Sequence, residues 1–289
     1  MTHRITDGAL SATVSEQGAE LQSLQDASGA EWLWQAGPQW PRHAPVLFPI
    51  VGKLAGDTLR HGGRAHRLTQ HGFARDRRFR WTARDAASCT LRLEDDDATG
   101  EAFPFRFVLD LTFAVADGAL RCTASVSNPG EPVLPFSIGG HPAFAWPLPG
   151  GGAKESHSIS FANPGLTSLP ARRLTEGLLD GGEELPLEAG ALPLRDALFA
   201  ADAVVLPGFP AQALRYAAAA GPALEMRWEG YGDLGLWSKP GAPFLCIEPW
   251  HGHASPLGWD GEFANKPGLV LLEPGGTRHF SWSVRPTPG

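Results

Sequence analysis

The chain has 289 residues, of which 43% are hydrophobic and 19% are charged, and its formal net charge is −7. This length can bury a substantial core, and all-β chains of this size often form one domain. The sequence shows no apolar run long enough to cross a bilayer and no N-terminal pattern typical of a signal peptide. Its acidic balance, without a stripe of Lys and Arg, disfavours nucleic acid as a partner. We therefore expect a single domain over residues 1–289 that is cytoplasmic and binds neither nucleic acid nor membranes.

The three cysteines are far apart and form no CxxC motif, which argues against a disulfide framework and against a structural zinc site. Cys89, Cys122 and Cys246 are expected to be reduced residues of the core. The chain also contains 35 glycines and 26 prolines without a collagen-like period. This composition is typical of a protein with many short strands and turns.

Alternation of hydrophobic and polar residues predicts the first strands. Cys89–Glu94 is one such run, and the clearest is 105–115, where a hydrophobic residue stands at every second position. A second alternating run begins at Leu120. The two runs are separated by Asp117 and Gly118, residue types that tolerate positive φ, which predicts a tight hairpin.

Similar runs predict strands in the C-terminal half at Leu224–Trp228, Leu234–Ser238, Phe244–Glu248, Leu269–Glu273 and Phe280–Val284. The last two flank Pro274-Gly275-Gly276 and are expected to form a terminal hairpin.

Helical periodicity is poor throughout the chain. Leu192–Ala200 could form a short helix, and the alanine-rich segment Ala211–Ala219 is ambiguous. Pro147–Ala153 and the acidic stretch Asp180–Glu184 are expected to be surface loops. The fold class predicted from these patterns is all-β, with two large antiparallel sheets packed face to face.

Three segments combine ionisable side chains with turn residues and aromatic residues: Gln70–Asp76, Ser137–Phe144 and Cys246–Gly252. In the second segment His141 follows a short apolar stretch and two glycines, so we expect a strand to end there. A histidine at a strand end can face a cleft and titrate near neutrality, as a general acid requires. The alternative is a histidine that is hydrogen-bonded within a loop.

Glu248 follows the apolar run Phe244–Ile247. A carboxylate at that position would be partly desolvated, which raises its pKa and strengthens it as a base. The alternatives are a solvated strand end or a structural ion pair. His71 and Arg75 lie four residues apart in a turn-like stretch, where incidental charges on a surface loop are the alternative to a functional role.

These segments, in this order, resemble the aldose 1-epimerase (galactose mutarotase) family. The resemblance is carried by HGFARD at 71–76, GGHPAF at 139–144 and CIEPWHG at 246–252. Further matches are Arg42–Gly52 and Leu236–Pro240, and the similarity extends over essentially the whole chain. It is closest to bacterial members of the family whose substrate is uncertain. The resemblance implies a β-supersandwich of large antiparallel sheets with an open sugar-binding cleft.

The resemblance also implies a reaction, the interconversion of the α and β anomers of an aldose. Glu248 would be the base on the anomeric hydroxyl, His141 the acid on the ring oxygen, and His71 a second histidine near the ring. Asp202 would bind sugar hydroxyls. Reference pKa values would leave Glu248 ionised and His141 partly protonated near neutrality. We expect no metal and no other cofactor, and either a monomer or a homodimer.

One departure from the family pattern bears on the substrate. Galactose mutarotases usually carry an Asn-Arg pair where this chain has Gly56-Asp57, so the usual sugar-binding arginine is missing. Arg42 and Arg75 are instead placed like the arginines of the family's hexose-6-phosphate branch, where a guanidinium fork suits a phosphate. The expected substrate is therefore an aldose or an aldose 6-phosphate.

Aromatic residues lie next to the proposed acid and base in the sequence. Trp237, Trp250 and Phe144 could stack on a sugar ring, and packing in the core is the alternative for each of them.

Two other functions are open from the sequence. One is a noncatalytic carbohydrate-binding protein with the same fold. The other is a metal hydrolase that uses His71, His141, His251 and His253, which is disfavoured because His-Gly-His lacks the spacing of a recognised zinc motif.

Overall fold

The computed structural model describes residues 1–163 and 165–289, which form mainly antiparallel β-strands. In chain order the strands are β1 (Thr2–Thr6), β2 (Leu10–Ser15), β3 (Leu21–Asp26), β4 (Val46–Leu47), β5 (Thr58–His61), β6 (Arg64–Arg67), β7 (Arg80–Arg84), β8 (Ser88–Glu94), β9 (Val108–Ala116), β10 (Ala119–Ser127), β11 (Leu134–Phe136), β12 (Ile138–Gly140), β13 (Ala143–Ala145), β14 (His157–Phe161), β15 (Ser168–Thr175), β16 (Leu178–Pro186), β17 (Ala191–Pro193), β18 (Val204–Leu206), β19 (Ala213–Ala218), β20 (Ala223–Glu229), β21 (Asp233–Trp237), β22 (Phe244–His251), β23 (Val270–Leu272) and β24 (Thr277–Thr287). The described part of the chain also contains one short α-helix, α1 (Asp97–Ala102), and short 3-10 turns at Ala55–Asp57, Ala74–Asp76, Lys154–Ser156, Asp196–Phe199 and Phe263–Asn265.

Two large sheets form the body of the molecule. The nine-stranded sheet has the order β17-β14-β19-β20-β24-β10-β9-β8-β7, and the eight-stranded sheet has the order β16-β15-β18-β21-β22-β12-β4, with β13 also paired to β22. Hydrophobic residues from both sheets, such as Leu111 on β9 and Ile247 on β22, belong to one buried core. Smaller sheets are formed by β1-β2-β3, β5-β6 and β11-β23. The predicted all-β fold with large, packed antiparallel sheets is confirmed.

The predicted tight hairpin is also confirmed. β9 pairs with β10 in continuous antiparallel register, from Ala116 opposite Ala119 to Val108 opposite Ser127. Asp117 and Gly118 have φ values of 52° and 69°, which a two-residue primed turn requires. The alternating side chains of β9 point into the core, as the period of two predicts.

Three predictions about local structure are wrong. β23 pairs with β11, whereas β24 pairs with β10 and β20, so these two strands do not form the terminal hairpin. The acidic stretch Asp180–Glu184 is not a loop but part of β16, an edge strand whose open side tolerates charged residues. The segment Leu192–Ala200 contains the end of β17 and a 3-10 turn instead of a helix. The ambiguous segment Ala211–Ala219 forms β19.

Cys89, Cys122 and Cys246 are buried and, within the described residues, form no disulfide, as predicted. Over the same residues, none of the helices combines the length and the hydrophobicity that crossing a bilayer would need.

The eight-stranded sheet is covered on both faces, and this determines where the functional side chains lie. On β22, Leu245 and Ile247 point into the main core, while Cys246, Glu248 and Trp250 point to the opposite face. Because both faces are covered, every residue from Phe244 to Trp250 is buried. The second face of this sheet carries the site described below.

Candidate active site

A cleft of about 320 Å³ lies on this second face of the eight-stranded sheet. Seven of the eight site residues predicted from the sequence line it, and Arg42 is the exception. The residues that line the cleft are Trp40, Gly52, Gln70, His71, Arg75, His141, Leu174, Asp202, Ala203, Val205, Trp237, Glu248, Trp250 and Ala254.

Strand pairing brings His141 and Glu248 together although they are far apart in the sequence. β12 pairs Gly139 with Trp250, and β13 pairs Ala143 with Cys246, so His141 lies between two strands that both pair with β22. Its Nε2 atom is 3.2 Å from Oε2 of Glu248. The backbone at this point is fixed further, because His141 N–H donates to the carbonyl of Pro45 at 3.1 Å.

Burial controls the electrostatics of this pair. The side chains of His141 and Glu248 are only 8% and 1% exposed. Desolvation raises the pKa of Glu248 well above its usual range and the charge of Asp202 adds to this, while the nearby indole N–H of Trp250, although outside hydrogen-bonding geometry, partly opposes it. Desolvation, with a smaller contribution from the charge of Arg75, lowers the pKa of His141 to about 3. The expected increase for Glu248 is confirmed, but the expectation of a histidine that titrates near neutrality is wrong.

Within residues 1–163 and 165–289, polar atoms of His141, Glu248 and the neighbouring Trp250 lack hydrogen-bond partners despite their burial. Although Oε2 of Glu248 lies close to His141, it has no hydrogen bond of acceptable geometry to any residue that the structure describes. The same holds, over the described chain, for Nδ1 of His141 and Nε1 of Trp250. Three buried polar atoms of the site are therefore free to bind a ligand.

Aromatic side chains enclose the His141 ring. Trp40 stacks on it with ring centroids 4.9 Å apart, and Trp237 contacts it edge-on at 5.9 Å. The carbonyl of Trp40 accepts a hydrogen bond of 2.9 Å from the indole N–H of Trp34, which fixes the backbone there. These contacts limit the rotation of the His141 ring and exclude water from one side of it.

His71 is fixed beside this pair by the backbone of Gly52. The N–H of His71 donates to the Gly52 carbonyl at 2.8 Å, and the N–H of Gly52 donates to Nδ1 of His71 at 3.1 Å. Since a backbone N–H can only donate, Nδ1 is the acceptor, and the neutral ring carries its proton on Nε2. Burial, with smaller contributions from His141, Arg75 and Arg42, lowers the pKa of His71 well below its usual value. His71 is therefore a neutral hydrogen-bond donor.

The two predicted arginines differ in position. Arg75 lines the cleft; its Nη2 donates to the carbonyl of Gln70 at 2.7 Å, and its Nε has no hydrogen-bond partner among the described residues. Burial and the charge of Arg42 lower the pKa of Arg75 to about 10, which leaves it positively charged at neutral pH. Arg42 instead donates to Asp76 at 2.8 Å and does not line the cleft.

Trp250 forms a flat wall of the cleft because two glycines on neighbouring strands leave room for its indole. A Cβ atom on Gly139 of β12 would lie 2.4 Å from the ring, and one on Gly235 of β21 would lie 2.6 Å from it. Asp202 lies on the same cleft in a left-handed conformation, with φ of 72°, and its Oδ1 accepts the N–H of Ala203 at 2.9 Å.

Three residues considered from the sequence do not join the site. Phe144 is fully buried in the main core, so stacking on a ligand in the cleft is excluded for it. The ring of His251 contacts Phe280, and Nδ1 of His253 lies against the carbonyl of Ala254. Neither of these histidines lines the cleft with His71 and His141, so the metal-hydrolase hypothesis based on four histidines is wrong.

Two polar or aromatic residues of the cleft are missing from the sequence-based prediction, Trp40 and Gln70. Gln70 is adjacent to His71, and its amide nitrogen lies 3.3 Å from Nε2 of that ring. Its position next to a predicted site residue is a signal that could have identified it. Trp40 stands in a segment without strand periodicity, and only its packing on His141 identifies it.

Comparisons with known proteins agree with this fold. Residues 1–186 match the family model described as aldose 1-epimerase. A galactose mutarotase related enzyme from Lactobacillus acidophilus is 30% identical, with a TM-score of 0.92 over 99% of this chain and 97% of that chain. A galactose mutarotase-like protein from Lactobacillus casei ATCC 334 is 28% identical, with a TM-score of 0.90 over 99% of this chain and 100% of that chain.

The protein LacX (plasmid) of Lactococcus lactis subsp. lactis is 28% identical over 295 residues, which cover 98% of this chain and 99% of that protein. The family model covers more than half of the chain, and the structural likeness extends over nearly all of it. The chain therefore belongs to the aldose 1-epimerase family.

Proposed function

We propose that the protein is a cofactor-independent mutarotase that interconverts the α and β anomers of an aldose or of an aldose 6-phosphate. The observation that carries the proposal is the close contact of His141 with Glu248, 3.2 Å between Nε2 and Oε2, on the wall of a cleft that is large enough for a sugar ring. Mutarotation requires one base and one acid near the same ring, and this pair supplies both.

The pKa directions indicate how the proton is held before the sugar binds. Glu248 is the stronger proton acceptor of the pair, so one proton rests on its carboxyl group while His141 is neutral. Hydrogen bonds from sugar hydroxyls favour the ionised form of Glu248. The proton then moves across the short contact to Nε2 of His141, which makes Glu248 the base and His141 the acid.

The reaction follows from this arrangement without a net change in protons. Glu248 removes the proton from the hydroxyl on C1, His141 delivers a proton to the ring oxygen, and the bond from C1 to the ring oxygen breaks to give the open-chain aldehyde. Rotation about the bond from C1 to C2 presents the other face of the carbonyl. The ring oxygen then attacks C1, while His141 takes back its proton and Glu248 returns one to O1.

Other residues of the cleft would hold the sugar during this step. His71 lines the cleft with its proton on Nε2, so it would donate to a hydroxyl or to the ring oxygen. The carboxylate of Asp202 can accept from hydroxyl groups, and the indoles of Trp250 and Trp237 can pack against the apolar face of a ring.

Polarimetry or NMR of freshly dissolved sugars tests the proposal. A panel of aldoses and aldose 6-phosphates should contain at least one whose anomer exchange the protein accelerates. The second candidate, a noncatalytic carbohydrate-binding protein, predicts that a sugar raises the thermal midpoint of unfolding while the exchange rate stays at the uncatalysed value. Binding without acceleration for every sugar that binds would contradict the enzyme proposal.

Arg75 brings a positive charge to the lining of the cleft, and its Nε makes, within the described part of the chain, only a 3.9 Å ion-pair contact with Oδ2 of Asp76, which favours a substrate that carries an anionic group. If the substrate is phosphorylated, Arg75→Ala should raise KM for the sugar phosphate about 10²-fold and change KM for the neutral sugar little. The reason is that the variant loses a charge-assisted contact to the phosphate, which the neutral sugar does not make. Arg42→Ala is the matched control, since Arg42 is paired with Asp76 outside the lining of the cleft. Equal effects of Arg75→Ala on both substrates would contradict a phosphate site.

The glycine beneath the Trp250 indole should be required for activity. In Gly235→Ala the new methyl group would lie 2.6 Å from the ring, so the indole must move and kcat/KM should fall by about 10²-fold. Gly232→Ala is the control, because a Cβ there meets nothing within 4 Å. Near-ultraviolet circular dichroism should report the movement of the indole. A Gly235→Ala protein with an altered spectrum but full activity would remove Trp250 from substrate binding.

A further inference from the structure

Cys246 lies beside the proposed catalytic pair but has no part in the reaction above. Its Sγ atom, one ring nitrogen of His141 and one carboxylate oxygen of Glu248 all lie within 4.8 Å of one another, and all three residues are buried. Cys246 and Glu248 point to the same side of β22 because they are two residues apart on one strand. We define these three residues as the Cys-His-Glu cluster.

We propose that the Cys-His-Glu cluster binds one thiophilic divalent cation, with Zn²⁺ the best fit, and that the bound cation inhibits the enzyme by replacing the proton of the catalytic pair. The binding part of this proposal stands on the geometry alone. The inhibition part rests on the proposed mutarotase activity.

The chemistry of the ligands supports this choice of ion. Thiolate, imidazole and carboxylate are the three ligand types that zinc takes in proteins, and three protein ligands leave a fourth position open to water or substrate. Ionised thiol and carboxylate groups together balance the charge of a divalent cation. A hard ion such as Mg²⁺ would instead prefer six oxygen ligands, which the cluster does not offer.

The distances fit as well. Zinc bond lengths and tetrahedral angles place neighbouring ligand atoms about 3.3–3.6 Å apart. The contact of 3.2 Å between His141 and Glu248 is already close to this value. The thiol is at most 4.8 Å from the other two ligand atoms, so cation binding requires the Cys246 side chain to approach them by about 1 Å.

A second observation also points to a ligand at this place. Oε2 of Glu248 is buried in a side chain that is 1% exposed, and among the residues that the structure describes nothing hydrogen-bonds to it. It faces the imidazole of His141. Only the proton of the pair offsets the burial of this oxygen, and a bound cation would satisfy the oxygen in place of that proton. The negative charge of Asp202 near Glu248 further favours a cation here.

Titration of the tag-free protein with Co²⁺, after removal of metals with a chelator, tests the binding directly. Co²⁺ should bind once per chain and give a thiolate-to-cobalt charge-transfer band together with the visible bands of tetrahedral coordination, and Zn²⁺ should displace it. The Cys246→Ser and Cys246→Ala variants should lose the charge-transfer band and weaken Co²⁺ binding by about 10- to 100-fold. Cys89→Ser is the control, because Cys89 is a buried cysteine outside the cluster.

The rate measurement separates inhibition from binding. Zn²⁺ should inhibit anomer exchange by the wild type in competition with the sugar, while both Cys246 variants should keep the basal rate and require about 10-fold or more Zn²⁺ for the same inhibition. Absence of the charge-transfer band in the folded wild type, or the same band in both Cys246 variants, would overturn the site. The band without inhibition would overturn the inhibitory role. Because the band is measured without any sugar, failure of the metal site can be distinguished from failure of the proposed function.

Discussion

Replacing Glu248 with glutamine should lower the rate of anomer exchange by at least about 10²-fold, because the amide keeps the shape of the side chain but cannot accept the proton from O1. The variant should nevertheless fold, and its thermal midpoint at neutral pH should equal or exceed that of the wild type. Burial raises the pKa of Glu248 in the folded protein, so the folded state binds this proton more tightly than the unfolded state does.

The sign of the pH effect follows from this difference. The contribution of Glu248 to the free energy of unfolding is fully present below the ordinary glutamate pKa, and it is lost as the pH rises through the raised pKa of the folded state. Glutamine does not ionise, so the advantage of the variant should grow as the pH rises through that window.

Polarimetry and calorimetry on the same preparations would measure both effects of the Glu248→Gln substitution. Glu225→Gln is a suitable control, because Glu225 is an exposed residue of β20 in the other large sheet. Near-wild-type activity in Glu248→Gln would remove Glu248 from the mechanism. A midpoint that falls further below the wild type as the pH rises would contradict the burial of an ionisable carboxyl group.

The pH profile of kcat/KM should be bell-shaped, with the acidic limb set by His141 and the basic limb by Glu248. The active form is the pair that carries one proton, so activity falls when a second proton binds and when the last one leaves. Burial lowers the pKa of His141 to about 3 and raises that of Glu248 well above its usual range. The histidine therefore titrates first as the pH rises, which is the reverse of the order that reference values predict.

The His141→Asn variant tests this assignment. It should lower the rate by about 10²–10⁴-fold and remove the acidic limb while the basic limb remains, because the group that titrates at low pH is gone. A chelator in the assay ensures that the pair carries only protons. His279→Asn is the control, since His279 is an exposed residue of β24.

The outcome of the His141→Asn experiment has three readings. Loss of the basic limb would show that His141 has the higher pKa of the pair, as reference values predict, and that it is protonated near neutrality. Loss of the acidic limb alone would support the reversed order. Full activity with both limbs intact would show that the proton reaches the ring oxygen from another group, and His71, whose ring contacts that of His141 with centroids 5.7 Å apart, is the next candidate.

The sequence alone was sufficient for features that depend on neighbouring residues. The alternation in 105–115 and the Asp117-Gly118 turn predict the hairpin of β9 and β10, because a period of two and a tolerance of positive φ are local properties. The alternating runs predict the all-β class. Three short segments around His71, His141 and Glu248 add the expectation of a sugar-binding cleft, because these strings resemble one family closely.

Strand partners were decided only by the tertiary structure. β23 and β24 are joined by a short turn and yet belong to different sheets, because each strand finds its partner far away in the sequence. β16 was missed for a different reason, because it is an edge strand that has no need of a regular apolar face, and alternation therefore does not reveal it.

The chemistry of the cleft also depends on contacts between distant residues. Desolvation of His141 and Glu248 is produced by strands and aromatic rings from several parts of the chain, so the order in which they titrate cannot be read from residue types. Tertiary contacts likewise place Cys246 beside the pair, stack Trp40 on His141 and pair Arg42 with Asp76. Local patterns determined which residues are available for catalysis, and packing determined their protonation and their partners, because both depend on which distant groups exclude water.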